Sequence, residues 1–174
     1  MRKATLCLLI KENNKEKEVL LAMKKRGFGV GKWNGVGGKF DPEKGDKDIV
    51  TAAIRETDEE IGVQIKELEK VAILNFYFPY NQEWNQQVHV FLAKNWQGEP
   101  KESEEMLPKW FRDKEIPFKE MWNDDKFWLP HILNGKKLKA NFTFKNGEII
   151  TPVSYTHLRA HETSLHLVCR LLLE

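Results

Sequence analysis

Apolar positions along this chain recur with two different periods, and the changes of period mark its elements. Thr5 to Lys11 and Glu18 to Lys24 are apolar, strand-like runs, and the charged, turn-forming Asn13-Asn14-Lys15-Glu16-Lys17 between them predicts a hairpin. The stretch Gly27 to Gly38 holds too many glycines for regular structure and reads as a functional loop. The period then lengthens: Val50, Ile54, Thr57 and Ile61 recur at helical spacing, forming a stripe suited to burial, and Gly62 stops that helix. Strands are predicted at Val71 to Phe78, Gln87 to Lys94 and Lys109 to Asp113, followed by a helix from Phe118 or Lys119 to about Leu133. Two last strands, Leu138 to Lys145 and Gly147 to Pro152, are joined by Asn146-Gly147, a strong hairpin turn signal. No internal repeat is present.

The helix that ends at Gly62 has chemistry on its other face. Glu56 lies one turn from Glu60 and three residues from Glu59, so three carboxylates share a stripe. Clustered glutamates on a helix are usually a solvated face. Here Gly37-Gly38 offers bare backbone just upstream, and Arg55 adjoins the acids as an orienting partner. Three hard oxygen donors suit Mg²⁺ or Mn²⁺, which keep several waters and bridge to substrate phosphates.

Composition narrows the partners. At 174 residues and 41% hydrophobic, the chain supports one domain with a proper core. A formal net charge of +2 argues against a long polyanion such as DNA or RNA, and no apolar run is long enough for a membrane span. A small-molecule substrate and a monomer are expected. Met1 to Ile10 mimics a short signal peptide, but Lys11-Glu12 interrupts it and it reads better as a first strand. Cys7 and Cys169 are expected to be reduced thiols of a cytoplasmic protein. The segment from Val153 to Thr163 breaks the pattern abruptly and resembles translated sequencing-adapter read-through. The natural domain is therefore expected to span residues 1–152, with 153–174 a tail outside it. Leu165, Val168 and Leu172 have the spacing of a helical tail, the competing reading.

The residues from Gly38 to Val63 resemble a Nudix box, G-x5-E-x7-R-E-U-x-E-E-x-G-U with U aliphatic. In Arg55-Glu56-Thr57-Asp58-Glu59-Glu60-Ile61-Gly62-Val63, only Thr57 departs from the second half of the pattern. The first half departs more, because 16 residues separate Gly38 from Arg55, three more than the pattern leaves. Glu43, Asp46 and Asp48 are all candidates for its first acid. The resemblance extends from about Lys3 to Pro152 and is closest to the MutT-homologue branch. It runs through Met23-Lys24-Lys25-Arg26-Gly27-Phe28-Gly29, Lys32-Trp33-Asn34-Gly35, Gln97-Gly98, Glu102 to Met106, Ile116-Pro117-Phe118 and Met121-Trp122-Asn123-Asp124-Asp125.

This resemblance implies an α/β/α sandwich with a mixed, curved sheet, in which the box forms loop, helix and loop. It implies that Glu56, Glu59 and Glu60 are the metal-binding and catalytic acids, that the Gly37 and Gly38 backbone lies at the metal, and that Glu105 adds a fourth carboxylate. Arg55 would orient the acids, and Glu59 or Glu60 would take the proton of the attacking water. Attack at the β-phosphorus would release a nucleoside monophosphate and pyrophosphate. Asn34 offers a donor and an acceptor to a purine edge, Trp122 a stacking face, and Asp124 and Asp125 further edge contacts. Pattern alone would instead make Trp122 a core residue and the Asp pair a helix start. Thr5, Lys24, Phe28, Phe76, Phe78, Met106 and Trp128 would line the pocket, and Gln86 stands where the family carries a pocket methionine. The expected function is Mg²⁺-dependent pyrophosphohydrolysis of oxidised purine nucleoside triphosphates. The alternatives are hydrolysis of another nucleotide, such as a methylated purine triphosphate or ADP-ribose, or a nucleotide-binding module without catalysis.

Overall fold

A computed structural model describes residues 1–145 and three short strand segments beyond them. In chain order the elements are β1 Arg2–Asn13, β2 Glu16–Lys24, β3 Trp33–Asn34, α1 Ile49–Ile61, β4 Gln64–Tyr77, β5 Gln86–Gln97 and β6 Met106–Arg112. They continue with α2 Asp125–Leu133, β7 Leu138–Lys145, β8 Glu148–Ile149, β9 Ser154–His157 and β10 Cys169–Arg170. The sheet is mixed, ordered β3-β2-β1-β5-β4-β7-β8, with β1 parallel to β5 and β4 parallel to β7. β6 pairs with β2, β9 with β7 and β10 with β4.

Strand alternation divides the core into two layers. Leu6, Leu8 and Ile10 of β1 pack on one face with Trp128, Leu129, Ile132 and Leu133 of α2. Cys7 and Leu9 pack on the other with Phe91 and with Ala53 and Ile61 of α1. The sheet therefore lies between two helices, the α/β/α sandwich expected from the sequence. No helix among the described residues is long and apolar enough to cross a membrane.

The feature that places the site is a parting between β1 and β2. Their antiparallel pairing stops at Ile10↔Val19. From there β1 bonds to the glycine-rich loop: Cys7 N–H donates to Val36 O at 2.6 Å, Val36 N–H to Cys7 O at 3.0 Å, and Thr5 N–H to Gly38 O at 2.8 Å. β2 meanwhile pairs with β3 through Ala22↔Asn34 and with β6 along Glu18 to Lys24. The loop thus contains a two-residue strand and threads into the opened seam. A Cβ on Gly37 would fall inside the Thr5 carbonyl, so only glycine lets the chain run this close.

Several sequence expectations are corrected. The second helix begins at Asp125, because Phe118–Glu120 forms only a 3-10 turn and Met121 is extended and buried. Burying Met121 in the core breaks the helix and frees Trp122 to turn away. β4 begins at Gln64 rather than Val71, and three register shifts against β5 disrupt the period-two pattern that would have revealed it. β6 begins at Met106 rather than Lys109, carried by its pairing to Met23 and Lys24. In α1 the buried residues are Ala52, Ala53, Thr57 and Ile61, while Val50 and Ile54 are half-buried. Thr57 satisfies its buried hydroxyl by donating to Ala53 O at 2.7 Å, which is how a polar residue occupies an aliphatic position. The Asn146-Gly147 turn lies outside the described residues, although Lys145↔Glu148 pairing on either side of it is antiparallel.

Candidate active site

α1 is held at both ends by its own sequence. Asp48 accepts from Thr51 N–H at 2.8 Å while Thr51 returns a bond to the Asp48 N–H, a capping box, and Gly62 ends the helix at φ 70°. This fixes the acidic face against the loop. Glu60 accepts from Gly37 N–H at 3.2 Å, and a Cβ on Gly38 would collide with the Glu56 carboxylate. Burial, then the charge of Glu56, pushes the Glu60 carboxyl up to about 7, against the lowering effect of its Gly37 bond.

Arg55 ties the face together. Its Nε and Nη2 donate to the two oxygens of Asp46 at 2.8 and 2.7 Å, and Nη1 donates to Glu56 at 2.8 Å and Glu59 at 3.0 Å. Such a bidentate pairing combines charge with fixed geometry. Asp46, itself buried, also accepts from Asp41 N–H at 2.8 Å, and the Arg55 guanidinium holds its carboxyl below the usual range. The three loop acids left open by the sequence therefore separate: Asp46 anchors Arg55, Asp48 caps α1, and Glu43 is exposed. The extra loop length hid Asp46 from any reading by spacing.

The fourth carboxylate, Glu105, is near enough to raise the Glu60 carboxyl but is engaged by a cation of its own. It pairs with Arg26 at 3.0 Å, while Lys25 holds Glu102 at 2.7 Å and Ser103 O at 2.9 Å. Among the described residues no three acids, histidines or cysteines converge closely enough to enclose an ion. The donor chemistry nonetheless fits a hard divalent cation. Glu56 and Glu60 crowd bare glycine backbone, and their mutual repulsion raises Glu60, a strain that a cation between them would relieve.

The aromatic candidates fall into two groups. Trp122 stacks on Phe28, centroids 5.3 Å apart, and Lys32 Nζ lies 5.1 Å from the Trp122 ring. Phe28 is 83% exposed, so it forms a rim and not a wall. Phe76 stacks on Phe142, and Phe78 stacks on Phe144 and meets Trp84 edge-on at 5.9 Å. Asn34 Oδ1 accepts from Gly35 N–H at 2.9 Å.

Asp124 and Asp125 are buried side by side at 6% and 3% exposure. Asp124 accepts from Trp128 Nε1 at 3.0 Å and caps nothing, and Asp125 Oδ2 is buried with no hydrogen-bond partner among the described residues. Their position is thus not that of ordinary helix-start acids. Burial pushes Asp124 up to about 6 and, joined by the charge of Asp124, raises Asp125 well above the usual carboxylate range.

Two candidates fall elsewhere than expected. Met106 packs with Leu20 and Ala22 in the α1-side core, because the β6 register opposite Lys24 turns it to that face. Thr5 is buried behind Gly38 on the Cys7 side of β1, 3.4 Å from Gly38 N and O, and not beside Phe76. Lys24, opposite Met106, is close enough to Glu60 to lower its carboxyl slightly.

Residues 1–132 match the model of the NUDIX domain. The chain is 46% identical over 132 residues to an oxidized purine nucleoside triphosphate hydrolase of Danio rerio, covering 76% of this chain and 82% of that protein. It is 44% identical over 136 residues to the protein of the same name in Mus musculus, covering 78% and 85%. Among solved structures it is similar to the mutator MutT protein of Bacillus halodurans, with a TM-score of 0.73, 25% identity, and coverage of 90% of this chain and 97% of that one. A NUDIX hydrolase from Nitrosomonas europaea shares the fold at a TM-score of 0.60, with 22% identity and coverage of 82% and 78%. With its glycine loop seated in the parted sheet, its Arg55-centred acidic helix and a domain match over most of its length, the chain belongs to the Nudix family.

Proposed function

We propose that this chain is a pyrophosphohydrolase of oxidised purine nucleoside triphosphates, 8-oxo-dGTP and 2-hydroxy-dATP among them, which it converts to monophosphate and pyrophosphate. The observation that carries this reading is the seating of Glu56 and Glu60 against Gly37-Gly38, on one chain with two buried, adjacent aspartates at the start of α2. The shared name of the fish and mouse relatives supports the substrate class.

Glu56, Glu59, Glu60 and the Gly37-Gly38 backbone are the groups that would hold Mg²⁺ or Mn²⁺, with Glu105 a fourth once released by Arg26. A cation there supplies charge neutralisation for the phosphate oxygens and acidity for a water. Arg55 orients Glu56 and Glu59 from outside the site, and Asp46 orients Arg55. Glu60, more buried than Glu59 and held by the Gly37 N–H, is the better placed of the two to take a proton from water attacking the β-phosphorus. In the pocket, Trp122 and Phe28 present stacking faces, and Asn34, its oxygen occupied by Gly35, offers its amide N–H groups to a purine acceptor. The free, buried thiol of Cys7, pushed up to about 12 by burial, suits a reducing cytoplasm.

The test is pyrophosphate release with Mg²⁺ from 8-oxo-dGTP, 2-hydroxy-dATP, N6-methyl-dATP, dGTP and ADP-ribose. The oxidised purines should be turned over fastest. Glu56→Gln and Glu60→Gln should each lower turnover by at least about a hundredfold while leaving melting behaviour close to wild type. Near-normal activity in both variants would overturn the assignment of the acidic face.

A further inference from the structure

The end of β2 and the two residues after it grip the segment that leads into β6, and Lys24, Lys25 and Arg26 each do so differently. Lys24 pairs in register with Met106. Lys25 N–H donates to Glu105 O at 2.8 Å, while its Nζ donates to Glu102 at 2.7 Å and to Ser103 O at 2.9 Å. Ser103 Oγ accepts from the N–H groups of Glu105 and Met106 at 3.3 and 3.1 Å. The backbone of Glu105 is therefore held without help from its carboxylate. That carboxylate accepts from Arg26 Nη2 at 3.0 Å, and Arg26 Nη1 lies 3.6 Å from Glu104.

Two observations set the consequence. Glu105 lies near enough to Glu60 for its charge to act on that carboxyl, and Lys24 acts on both. The pair with Arg26 is exposed, 60% for the arginine side chain and 53% for the glutamate, so water and salt screen it and it holds weakly. A divalent cation at the acidic face carries twice the charge of a guanidinium and draws on the same carboxylate oxygens. For Glu105 to turn to the ion, it must first leave Arg26. Because its backbone is held separately, that exchange needs only side-chain rotation. Arg55 behaves differently: Asp46 anchors it from a buried position, so it fixes the acids it touches and does not compete for them.

We propose that Arg26 sets the metal affinity of this chain: its guanidinium competes with the divalent cation for Glu105 and so fixes the metal concentration at which the fourth carboxylate is recruited. This rests on the reading of Glu56, Glu59 and Glu60 as the cation site. Arg26 is a positioning residue that acts through Glu105.

The test is Mn²⁺ binding to the full chain at low ionic strength, read from the electron paramagnetic resonance of the free ion. The chains compared are wild type, Arg26→Gln, Lys25→Gln, Glu105→Gln and the double variant Arg26→Gln with Glu105→Gln. Arg26→Gln should tighten binding by roughly three- to fivefold in the wild-type background. In the Glu105→Gln background the same change should leave affinity within about 1.5-fold, because the contested carboxylate is gone. Lys25→Gln removes an equal charge from the same turn and spares the Arg26–Glu105 pair, so it should tighten binding by less than Arg26→Gln does. No tightening in Arg26→Gln, equal tightening in both backgrounds, or equal tightening by Lys25→Gln would each overturn the proposal, the last two by showing that lost charge and not the contact governs affinity. A wild-type chain that binds Mn²⁺ but releases no pyrophosphate from the triphosphates would overturn the proposed function and leave the Arg26 comparison intact. A wild-type chain that binds no Mn²⁺ would overturn both.

Discussion

Asp124 and Asp125 show how much chemistry two adjacent residues acquire from burial alone. Both carboxyls are raised because the interior penalises their ionised forms, and the charge of Asp124 raises Asp125 further. Above the unfolded value of 3.8 the unfolded chain releases protons that the native pair retains, so the pair costs stability as pH rises toward about 6. Asp124→Asn removes that cost, and its amide oxygen still accepts from Trp128 Nε1. The variant should match wild type near pH 4 and be more stable at pH 7 by on the order of 1–3 kcal/mol, which melting temperatures across that range would measure. A difference that does not vary with pH would contradict the raised carboxyl. Activity should respond differently: a carboxyl can donate or accept according to its protonation, whereas the asparagine amide has fixed donors on one arm. Asp124→Asn should therefore damage turnover of 8-oxo-dGTP and 2-hydroxy-dATP unequally, while Glu60→Gln lowers both by one factor.

At the scale of elements, α1 shows what sequence reading captures and where it stops. Its cap at Gly62, its acidic stripe and its orienting Arg55 are local, encoded within seven residues of one another, and all are legible. β4 was only half legible, since bulges interrupt its alternation, and the late start of α2 depends on where Met121 is buried. The side of the sheet taken by Met106 follows from the β6 register against β2, a long-range pairing with no local signature. Asp46 lies in the same category, because a lengthened loop brings it to Arg55. The two neighbouring loop acids consequently give separable predictions. Asp48→Ala removes an N-cap and should cost about 1 kcal/mol of stability, with turnover below the transition essentially unchanged. Asp46→Asn weakens the charge that fixes Arg55, so it should lower kcat with little effect on KM if Arg55 acts through the acids it holds, as proposed. Steady-state kinetics beside melting curves would distinguish the two, and equal losses of turnover would refute the division of labour.

For the whole molecule, the decisive arrangement is the parted seam between β1 and β2, with α1 on one face and α2 on the other. The acids proposed to face the phosphates belong to the first face, and the loop from Gly27 to Gly38 runs from Phe28, stacked on Trp122, through the parted sheet to Gly37 beside Glu60. That architecture is complete within residues 1–145. β7 is paired along β4, and its other side carries the backbone of Ser154–His157, from Asn141↔Ser154 to Leu138↔His157. We propose that residues 153–174 stand outside the natural domain, and the sheet order gives this a graded test. A chain ending at His157 keeps the edge of β7 covered, loses among the described residues the two-residue pairing of β10 with β4, and should match the full chain in melting temperature and in turnover. A chain ending at Pro152 exposes that edge, whose unpaired N–H and C=O groups invite pairing with other copies. If that edge draws copies together while the chain ending at His157 stays soluble, residues 154–157 belong to the domain; equal solubility and full turnover of both truncations are the outcome expected of a tail outside it. Size-exclusion chromatography of the two truncations, with activity measured on each monomer peak, decides the matter. Lost turnover in the monomer ending at His157 would mean that the tail belongs to the enzyme.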